Sequence, residues 1–423
     1  MAFYAGHYVD KNYRPKPTDL VCTFRLKPAA GVSIEEAAGA VAGESSVGTW
    51  TEVSTSSPRI RKMGAKVFSM EGSWIKVAYP SELFEPGNMA QIFSSVAGNI
   101  FGMKVIDALR LEDVHWPAKF VSSFPGPAFG IKGIRKLLRV PKRPLCGTII
   151  KPKLGLREKE HARVAYEAWK GGLDIVKDDE NLTSQPFNHF DKRIKETLAL
   201  RDKAERETGE RKIYMPNVSA EYNEMLRRAK FVRKCGGEYV MVDILTVGWS
   251  GLQALRNEKL GLVIHAHRAM HAALTRNREH GISMLVLAEA ARLCGVDQLH
   301  IGAAIGKMEG PAGEIVSIGE EVEEKIIKPK GHALAENWGR IKPVFAVCSG
   351  GLYPGLVPRL VEMLGTDIIV QAGGGVHGHP GGTSAGATAM RQMIDAVMEG
   401  VPPREYAKKH NELKLALEKW GTV

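Results

Sequence analysis

The order of hydrophobic and polar positions divides the chain into two regions that meet near residue 125. In the first region, apolar stretches of unequal length alternate with amphipathic ones, which predicts strands mixed with helices. In the second region, apolar runs of strand length recur at intervals of roughly 25 to 45 residues, each followed by a candidate helix. The pattern therefore predicts a small mixed domain followed by a repeated β/α domain.

The repeated region contains eight candidate strands. They span residues 147–153, 174–179, 212–218, 239–245, 262–268, 298–303, 344–349 and 367–372. Eight successive β/α units favour a TIM (β/α)8 barrel over a doubly wound open sheet, which usually carries a Gly-x-Gly-x-x-Gly turn after its first strand. We therefore assign residues 126–423 to an α/β barrel whose active site lies at the carboxyl ends of the strands.

Residues 1–125 are predicted to form a smaller α+β domain with an antiparallel sheet. The candidate strands span residues 19–26, 49–53, 67–79 with a break at 71–73, and 101–114, and the candidate helices span residues 33–42 and 89–97. Ser33 is the predicted N-cap of the first helix, because Glu36 follows three residues later. The proline and glycine residues between positions 120 and 129 mark the predicted domain boundary.

The net charge of +11 over 423 residues raises the question of nucleic-acid binding. The basic residues are interleaved with acidic ones, however, which favours a solvated surface that attracts an anionic substrate. No apolar run approaches the roughly 18 residues of a membrane span, the N-terminus lacks the regions of a signal peptide, and the five cysteines show no metal or disulfide spacing. We expect a cytoplasmic enzyme with no nucleic-acid partner and no membrane partner.

The buried strand predicted at 174–179 ends in an unusually polar sequence, Lys177-Asp178-Asp179-Glu180. Because side chains alternate along a strand, Lys177 and Asp179 point to one face and Asp178 to the other, while Glu180 is free to turn back toward the pair. Carboxylates at the carboxyl end of a strand suit a hard cation such as Mg²⁺, which takes oxygen ligands. The alternative is a network of salt bridges at the strand end, and these residues alone leave both possibilities open.

Other polar residues also collect at predicted strand ends. They are Lys151, Lys153, Asn217, His265, His267, Arg268, His300, Ser349, Gly350, Gly351, Gly373, Gly374 and Gly375. Each has a structural alternative: the lysines could be surface residues, the histidines could be core residues with satisfied hydrogen bonds, and the glycines could serve turns alone. A zinc site at the histidine pair lacks a matched third ligand nearby.

The glycines after the last two strands predict a phosphate site, because backbone amides in such turns bind phosphate and TIM barrels commonly place a phosphate there. Residues 302–310 form a glycine-bounded loop with Lys307 near its tip, as expected of a mobile lid. Arg268 and His300 could supply a second anion site across the barrel. These residues together predict a Mg²⁺-dependent barrel enzyme that acts on a substrate with one or two phosphate groups.

Several segments resemble the large chains of ribulose-1,5-bisphosphate carboxylase/oxygenase (RuBisCO). They are residues 44–50, 98–102, 109–113, 148–155, 171–187, 265–271 and 306–310. The resemblance covers nearly the whole chain, in order. In length and in its short termini the chain is most similar to the archaeal, form III, branch.

The resemblance implies a role for each motif at the strand ends. Lys177 would react with an activating CO₂ to give a carbamate, and the carbamate, Asp179 and Glu180 would bind Mg²⁺. The carbamate would then remove the C3 proton of ribulose 1,5-bisphosphate to give an enediol, to which CO₂ adds or for which O₂ competes. Hydration of the carboxylated product and cleavage of its C2–C3 bond would give two molecules of 3-phosphoglycerate.

Four further residues complete the catalytic set that the resemblance implies. Lys307 would stabilise the new carboxylate as the loop closes, Lys151 would protonate the product carbanion, and Lys153 and His267 would assist proton transfers.

The resemblance also implies the substrate-binding residues and the assembly. One phosphate would be held by Thr49, Trp50, Lys307, Gly351, Gly373 and Gly374, the other by Arg268 and His300, with Ser349 and Gly350 beside the substrate backbone. Glu44, Thr49, Trp50 and Asn99 would come from a neighbouring subunit, with Glu44 pairing with Lys307. We therefore expect a homodimer or a multimer of dimers, without a small subunit.

Two other functions remain open at this point. A RuBisCO-like enolase or isomerase would keep the barrel but typically lose residues such as Lys153 or Lys307, which are present here. A non-catalytic basic scaffold is suggested only by the net charge. If the chain is of form III type, its expected setting is the salvage of AMP and other nucleotides.

Overall fold

A computed structural model describes residues 3–51, 53–303, 305 and 312–422. The chain divides into two compact units. The first comprises the described residues of Met1–Pro125 together with Met270–Cys294 and Glu324–Ile341, and the second those of Gly126–Ala269, Gly295–Glu323 and Lys342–Val423. Two segments that the sequence pattern assigned to the barrel region thus belong to the first unit.

The strands are, in chain order, β1 (Leu20–Pro28), β2 (Lys66–Glu71), β3 (Trp74–Tyr79), β4 (Ile106–His115), β5 (Leu145–Ile149), β6 (Ile175–Lys177), β7 (Ile213–Met215), β8 (Tyr239–Asp243), β9 (Val263–His267), β10 (Gly281–Ile282), β11 (Gln298–Gly302), β12 (Ile326–Ile327), β13 (Glu336–Asn337), β14 (Phe345–Ser349) and β15 (Ile368–Gln371).

The helices are α1 (Phe3–Tyr8), α2 (Ile34–Glu44), α3 (Pro58–Lys62), α4 (Met89–Val96), α5 (Ala118–Ser123), α6 (Gly130–Leu138), α7 (Glu158–Lys170), α8 (Phe190–Thr208), α9 (Tyr222–Lys234), α10 (Ile244–Asn257, interrupted at Gly248), α11 (His271–Thr275), α12 (Met284–Cys294), α13 (Ala312–Glu323), α14 (Val357–Leu364), α15 (Gly374–His377), α16 (Gly382–Glu399), α17 (Pro403–Tyr406) and α18 (Asn411–Trp420). None of the helices in the described ranges is both long enough and apolar enough to cross a membrane.

The first unit is built on a sheet with the strand order β10-β4-β1-β3-β2. Its pairs are antiparallel except for the short β10, which runs parallel to β4. Helix α2 begins as predicted, with the Ser33 hydroxyl accepting a hydrogen bond from the Glu36 amide. The strand predicted at 49–53 is wrong: the described residues of this segment, 49–51 and 53, are irregular.

The second unit contains a sheet of eight parallel strands in the order β7-β6-β5-β15-β14-β11-β9-β8. The chain beyond β7 then pairs with β8 through two hydrogen bonds, Val218 N to Met241 O (3.0 Å) and Met241 N to Pro216 O (2.8 Å). These bonds close the sheet, and the predicted TIM barrel is confirmed. Each of the eight strands overlaps its predicted range.

The strands of the barrel are apolar on both faces, since helices cover the outside and side chains fill the inside. Residues of β5, β6, β7, β8, β9, β14 and β15 form one buried cluster with the apolar face of α6. Polar groups of the candidate site therefore appear where the strands end. Strand β5 ends at Ile149, earlier than predicted, so Lys151 and Lys153 lie in the following loop rather than within the strand.

Candidate active site

Lys177 is the last residue of β6, and its amine is enclosed at the carboxyl end of the barrel. The side chain is fully buried, and Nζ donates to the Asp178 carbonyl oxygen at 2.7 Å and lies 3.5 Å from Glu180 Oε2. Burial lowers the pKa of Lys177 below its ordinary value, although the neighbouring carboxylates oppose that shift. A lowered pKa leaves a larger share of the amine neutral, which is the nucleophilic form.

Asp179 and the two lysines after β5 lie on the same side of the barrel mouth. Lys151 Nζ is 2.7 Å from Asp179 Oδ2, and Asp179 is buried while Lys151 is partly exposed. Lys153 is exposed and reaches Asn181 Oδ1 at 3.4 Å. The loops after β5 and β6 thus bring Lys151 beside one carboxylate of the acidic group, with Lys153 farther out.

Glu180 faces both Lys177 and His267. His267 Nε2 lies 3.5 Å from Glu180 Oε2, while its Nδ1 lies 2.6 Å from Asp243 Oδ1. Burial alone would raise the pKa of Glu180, but the charges of Lys177 and His267 lower it to about 2. Asp243 was not singled out from the sequence, although an aspartate at the end of β8 carried the same signal as the other strand-end residues.

A chain of hydrogen bonds runs through the two histidines of β9 and β11. Gln298 Oε1 lies 2.8 Å from His265 Nδ1, His265 Nε2 lies 2.8 Å from His300 Nε2, and His300 Nδ1 lies 2.6 Å from Ser349 Oγ. Burial holds the pKa of both His265 and His300 well below the usual range. Both rings are therefore neutral near pH 7, and the chain orients the Ser349 hydroxyl.

Arg268 follows β9 and packs close to the backbone at the end of β11. A Cβ atom on Gly302, whose φ is +106°, would lie 2.8 Å from Arg268 Nη2. Burial lowers the pKa of Arg268 to about 10, with Glu314 acting in the opposite direction. The guanidinium stays charged at neutral pH and is only partly exposed to water, so an anionic ligand beside it would be favoured.

The loops after β14 and β15, where the sequence predicts a phosphate site, consist largely of glycine. Gly350 and Gly351 have φ values of +116° and +76°, which favour glycine. A Cβ on Gly373 would lie 3.0 Å from the Lys151 side chain, whereas one on Gly374 would meet no atom within 4 Å. Because Gly373 and Gly374 have no side chains, neither residue blocks the approach of a ligand to the backbone amides at the start of α15.

The candidate residues of the first unit are mostly accessible. Glu44 ends α2 and accepts a hydrogen bond from the Tyr4 hydroxyl. Trp50 is 80% exposed, and Asn99 begins a short 3-10 turn and is exposed. Thr49 lines a surface cleft together with Lys66 and other residues of the same unit. Lys307 lies outside the described residues.

Within the described residues, no three His, Cys, Asp or Glu side chains are grouped closely enough to hold a metal ion. The candidate set offers two carboxylates, Asp179 and Glu180, with the amine of Lys177 beside Glu180. An ammonium group would repel a cation, but a carbamate on the same nitrogen would replace that charge with oxygen donors suited to Mg²⁺. The donors therefore fit Mg²⁺ only after Lys177 is modified.

Two family models match the chain. Residues 7–120 match the model described as the ribulose bisphosphate carboxylase large chain, N-terminal domain, and residues 130–420 match the model of the catalytic domain of the same chain.

Curated relatives and solved structures agree with these matches. The chain is 52% identical over 425 residues to the ribulose bisphosphate carboxylase of Methanocaldococcus jannaschii, covering 98% of this chain and 99% of the relative. It is 50% identical to that of Pyrococcus abyssi, covering 98% and 96%. Among structures, a dimeric archaeal Rubisco from Hyperthermus butylicus matches with a TM-score of 0.94 and 47% identity, covering 99% of this chain and 100% of that one. An octameric Rubisco from Pyrococcus horikoshii matches with a TM-score of 0.92 and 49% identity, covering 99% and 97%.

Proposed function

The chain belongs to the RuBisCO large-chain family and is a ribulose-bisphosphate carboxylase, and from that premise we propose how its residues carry out the reaction. The substrate is ribulose 1,5-bisphosphate, which Mg²⁺-dependent carboxylation with CO₂, followed by hydration and cleavage of the C2–C3 bond, converts into two molecules of 3-phosphoglycerate. O₂ competes with CO₂ for the enediol. The observation that carries the proposal is the buried amine of Lys177 beside Glu180, with Asp179 paired to Lys151.

Activation begins at Lys177. The neutral amine attacks a CO₂ molecule that is not the substrate, a C–N bond forms and one proton is released. The lowered pKa of Lys177 supports this step, because a protonated amine has no free electron pair. The carbamate, Asp179 and Glu180 would then hold Mg²⁺. When bound, Mg²⁺ acts as a Lewis acid that stabilises negative charge on the substrate oxygens.

The carbamate of Lys177 is also the base that removes the C3 proton. We assign to Lys151 the return of a proton to the product carbanion, and the position of its amine, 2.7 Å from Asp179 Oδ2 at the mouth of the barrel, supports this role. His267, oriented by Asp243, and Lys153 assist the proton transfers. Lys307 is assigned to the new carboxylate.

Two anion sites are proposed to bind the phosphates. Arg268 and His300 hold one, with Ser349 and Gly350 beside the substrate chain. Gly351, Gly373 and Gly374 hold the other together with Lys307, Thr49 and Trp50. The lowered pKa of Arg268 and the open backbone at Gly374 support these assignments.

Glu44, Thr49, Trp50 and Asn99 are proposed to act in the site of a neighbouring copy of the chain. The functional unit is then a homodimer or a multimer of dimers, without a small subunit. Support comes from the dimeric and octameric assemblies named for the archaeal relatives and from the exposure of Trp50. We propose residues 1–125 and 126–423 as the two domains along the sequence, with the first serving the partner's site. Residues 270–294 and 324–341 of the second domain belong to the first compact unit.

The cellular role that we propose is the salvage of AMP and other nucleotides, on the strength of the archaeal relatives alone. Cells fed AMP with ¹³C in its ribose should accumulate ¹³C-labelled 3-phosphoglycerate, and deletion of this gene should abolish that label. Unchanged labelling in the deletion strain would contradict the role.

The product decides between carboxylation and the alternative, enolisation by a RuBisCO-like protein. The purified protein, activated with bicarbonate and Mg²⁺, is given ribulose 1,5-bisphosphate and ¹⁴CO₂. The proposal expects two molecules of 3-phosphoglycerate for each sugar consumed, one of them labelled. Absence of label, with turnover of a related phosphorylated sugar to an enol product, would replace the proposal by the alternative.

A further inference from the structure

Asp178 stands in sequence between Lys177 and Asp179 but does not face the same side. Its backbone carbonyl accepts the hydrogen bond from Lys177 Nζ, whereas its carboxylate lies on the outer side of β6 and is fully buried. Alternation along the strand produces this arrangement. The carboxylate is therefore excluded from the substrate side of the barrel and needs another explanation.

Several polar groups converge on the Asp178 carboxylate. Tyr214 Oη donates a hydrogen bond to Oδ1 at 2.6 Å. Two nitrogens of the Arg193 guanidinium contact Oδ2, Nη2 at 3.1 Å and Nε at 3.2 Å. The Asn217 amide donates to Oδ2 at 3.0 Å, and His161 Nε2 lies 3.0 Å from Oδ1. We call these five residues the Asp178 network. Burial alone would raise the pKa of Asp178, but Arg193 and the other donors hold it well below its ordinary value.

Asn217 connects this network to the candidate metal ligands. Its backbone amide binds the Asp178 carboxylate, and its side-chain Nδ2 donates to the Glu180 carbonyl oxygen at 2.9 Å. The Asp178 amide in turn donates to Met215 O at 3.0 Å. Residues 178–180 are thus held at both ends by residues 215–217, the last residue of β7 and the two that follow it, and these contacts fix the turn from which Asp179 and Glu180 project.

Arg193 connects the network to the loop after β6. Besides Asp178, its guanidinium donates to Asn188 Oδ1 at 2.9 Å and to Thr183 O at 2.7 Å. Its side chain is fully buried and its donors reach both ends of the loop between β6 and α8. One side chain therefore orders the loop and neutralises Asp178 at the same time.

Burying a carboxylate and a guanidinium is costly, and apolar residues of similar volume often stabilise a fold equally well. The presence of this buried ion pair is better explained by its directional hydrogen bonds, which hold the neighbouring backbone in one position. Ligands of a metal must be held within about 0.5 Å of their productive positions, and outer groups that orient ligands typically change metal affinity about 10- to 100-fold when removed.

We infer that Asp178 is a positioning residue: held by Arg193, Tyr214 and Asn217, it fixes the backbone of residues 177–180 so that the Lys177 carbamate, Asp179 and Glu180 converge on one divalent cation. Asp178 touches neither cation nor substrate. The inference rests on the proposed function, because it concerns the carbamate and the cation assigned there.

The test compares Asp178→Asn with Asp174→Asn, a matched control at the other end of the same strand, since Asp174 comes directly before β6 and Asp178 directly after it. Asp174 is also a fully buried aspartate bound to an arginine, through Arg143 Nη2 and Nη1 at 2.6 and 2.7 Å, but it precedes β6 at the opposite end of the barrel. Two properties are measured in the full-length protein without substrate. The carbamate is detected by ¹³C NMR after incubation with ¹³CO₂, and the affinity for Mn²⁺, a paramagnetic substitute for Mg²⁺, is measured by EPR titration.

Both variants are expected to lose thermal stability, because each leaves a buried arginine without its full partner. Only Asp178→Asn should lose carbamate signal and bind Mn²⁺ about 10- to 100-fold more weakly. If Asp178→Asn does not fold, Tyr214→Phe, which removes one hydrogen bond and keeps the charge pair, should show a smaller loss of the same kind.

Equal Mn²⁺ affinity and equal carbamate in wild type and Asp178→Asn would overturn the inference while leaving the proposed function intact. The same loss in Asp174→Asn as in Asp178→Asn would also overturn it, since the effect would then reflect general destabilisation. A wild-type protein that forms no carbamate would overturn the proposed function, and the inference with it.

Discussion

The protonation states of single side chains at the mouth of the barrel depend on how deeply each side chain is buried. Lys177 is fully enclosed, so its pKa falls and its amine becomes available as a nucleophile, whereas Lys153, two residues beyond Lys151 in an exposed loop, is exposed to water. His265 and His300 are held neutral by the same effect. Residue type alone did not distinguish these cases, because the sequence shows which residues end a strand but not how much water reaches them.

Asp243 is the residue whose contribution is tested most simply. Its Oδ1 lies 2.6 Å from His267 Nδ1, so it fixes the tautomer and the orientation of the ring. Asp243→Asn should lower kcat about 100-fold, within the usual contribution of a general acid or base, and should change KM for ribulose 1,5-bisphosphate much less. Steady-state kinetics check this, and an unchanged kcat would show that His267 needs no partner.

Gly302 tests the proposed phosphate site at Arg268. An alanine Cβ would lie 2.8 Å from Arg268 Nη2 and displace the guanidinium. Gly302→Ala should raise KM for ribulose 1,5-bisphosphate about tenfold, equivalent to about 1.4 kcal/mol of binding. Isothermal titration of the bisphosphate should show the same loss.

The control for Gly302 is Gly209→Ala. Gly209 also has a positive φ, +70°, but is exposed, and a Cβ there would meet no atom within 4 Å. It should cost stability of about 1 kcal/mol through backbone strain and leave KM unchanged. Equal KM values in the two variants would remove Arg268 from the phosphate site.

At the scale of elements, hydrophobic periodicity predicted the barrel strands and the face to which each side chain of 177–179 points, because both follow from local alternation. The partners of Asp178 were not predictable. Arg193 and Tyr214 lie 15 and 36 positions away, and only the pairing of β6 with β7 and the packing of α8 bring them together. The predicted strand at 49–53 failed because a β-rich composition does not supply a pairing partner.

Arg143 joins the bases of β5 and β6 through its ion pair with Asp174. Burial alone would raise the pKa of Asp174, but Arg143 lowers it below its ordinary value. The pair therefore stabilises the fold above the unfolded pKa, near 4, and this stability is lost as the pH falls through the lower, folded pKa. Arg143→Met should cost about 3–5 kcal/mol at pH 7.

Urea unfolding at several pH values checks this pair. The gap in the free energy of unfolding between wild type and Arg143→Met should narrow as the pH is lowered toward about 4. In the variant, burial without the arginine raises the pKa of Asp174, so its carboxyl takes up a proton before that of wild type does and then no longer requires a cation. A gap of constant size from pH 7 to pH 4 would show that the ion pair contributes through packing alone.

At the scale of the whole molecule, the two compact units are not simple halves of the sequence. Residues 270–294 and 324–341 join the first unit, where β10 pairs with β4 and Glu336 binds the Trp116 amide. These contacts connect positions more than 150 residues apart along the chain. The local hydrophobic pattern carries no information about contacts between residues so far apart in the sequence. For this reason the sequence analysis predicted a single domain boundary.

The proposed division of the site between two subunits can be tested by mixing inactive variants. Glu44→Gln alters the part supplied to the neighbour, and Lys177→Ala alters the barrel part. A mixed dimer would contain one intact site, so random reassociation should restore about a quarter of wild-type activity. Each variant dissociated and reassociated alone is the control. No recovery from proven mixed dimers would contradict a shared site.

The most direct test of the central claim is the dependence of carboxylation on the order of addition. Wild type and Lys177→Ala are preincubated with bicarbonate and Mg²⁺, or with neither. Ribulose 1,5-bisphosphate, ¹⁴CO₂ and the same final concentration of Mg²⁺ are then supplied to every sample, and initial rates are recorded. We predict that label appears in 3-phosphoglycerate without a lag only in preincubated wild type, appears after a lag in wild type that was not preincubated, and is absent in the variant. Equal initial rates with and without preincubation, or a labelled product from Lys177→Ala, would contradict the claim that a carbamate on Lys177 completes the active site.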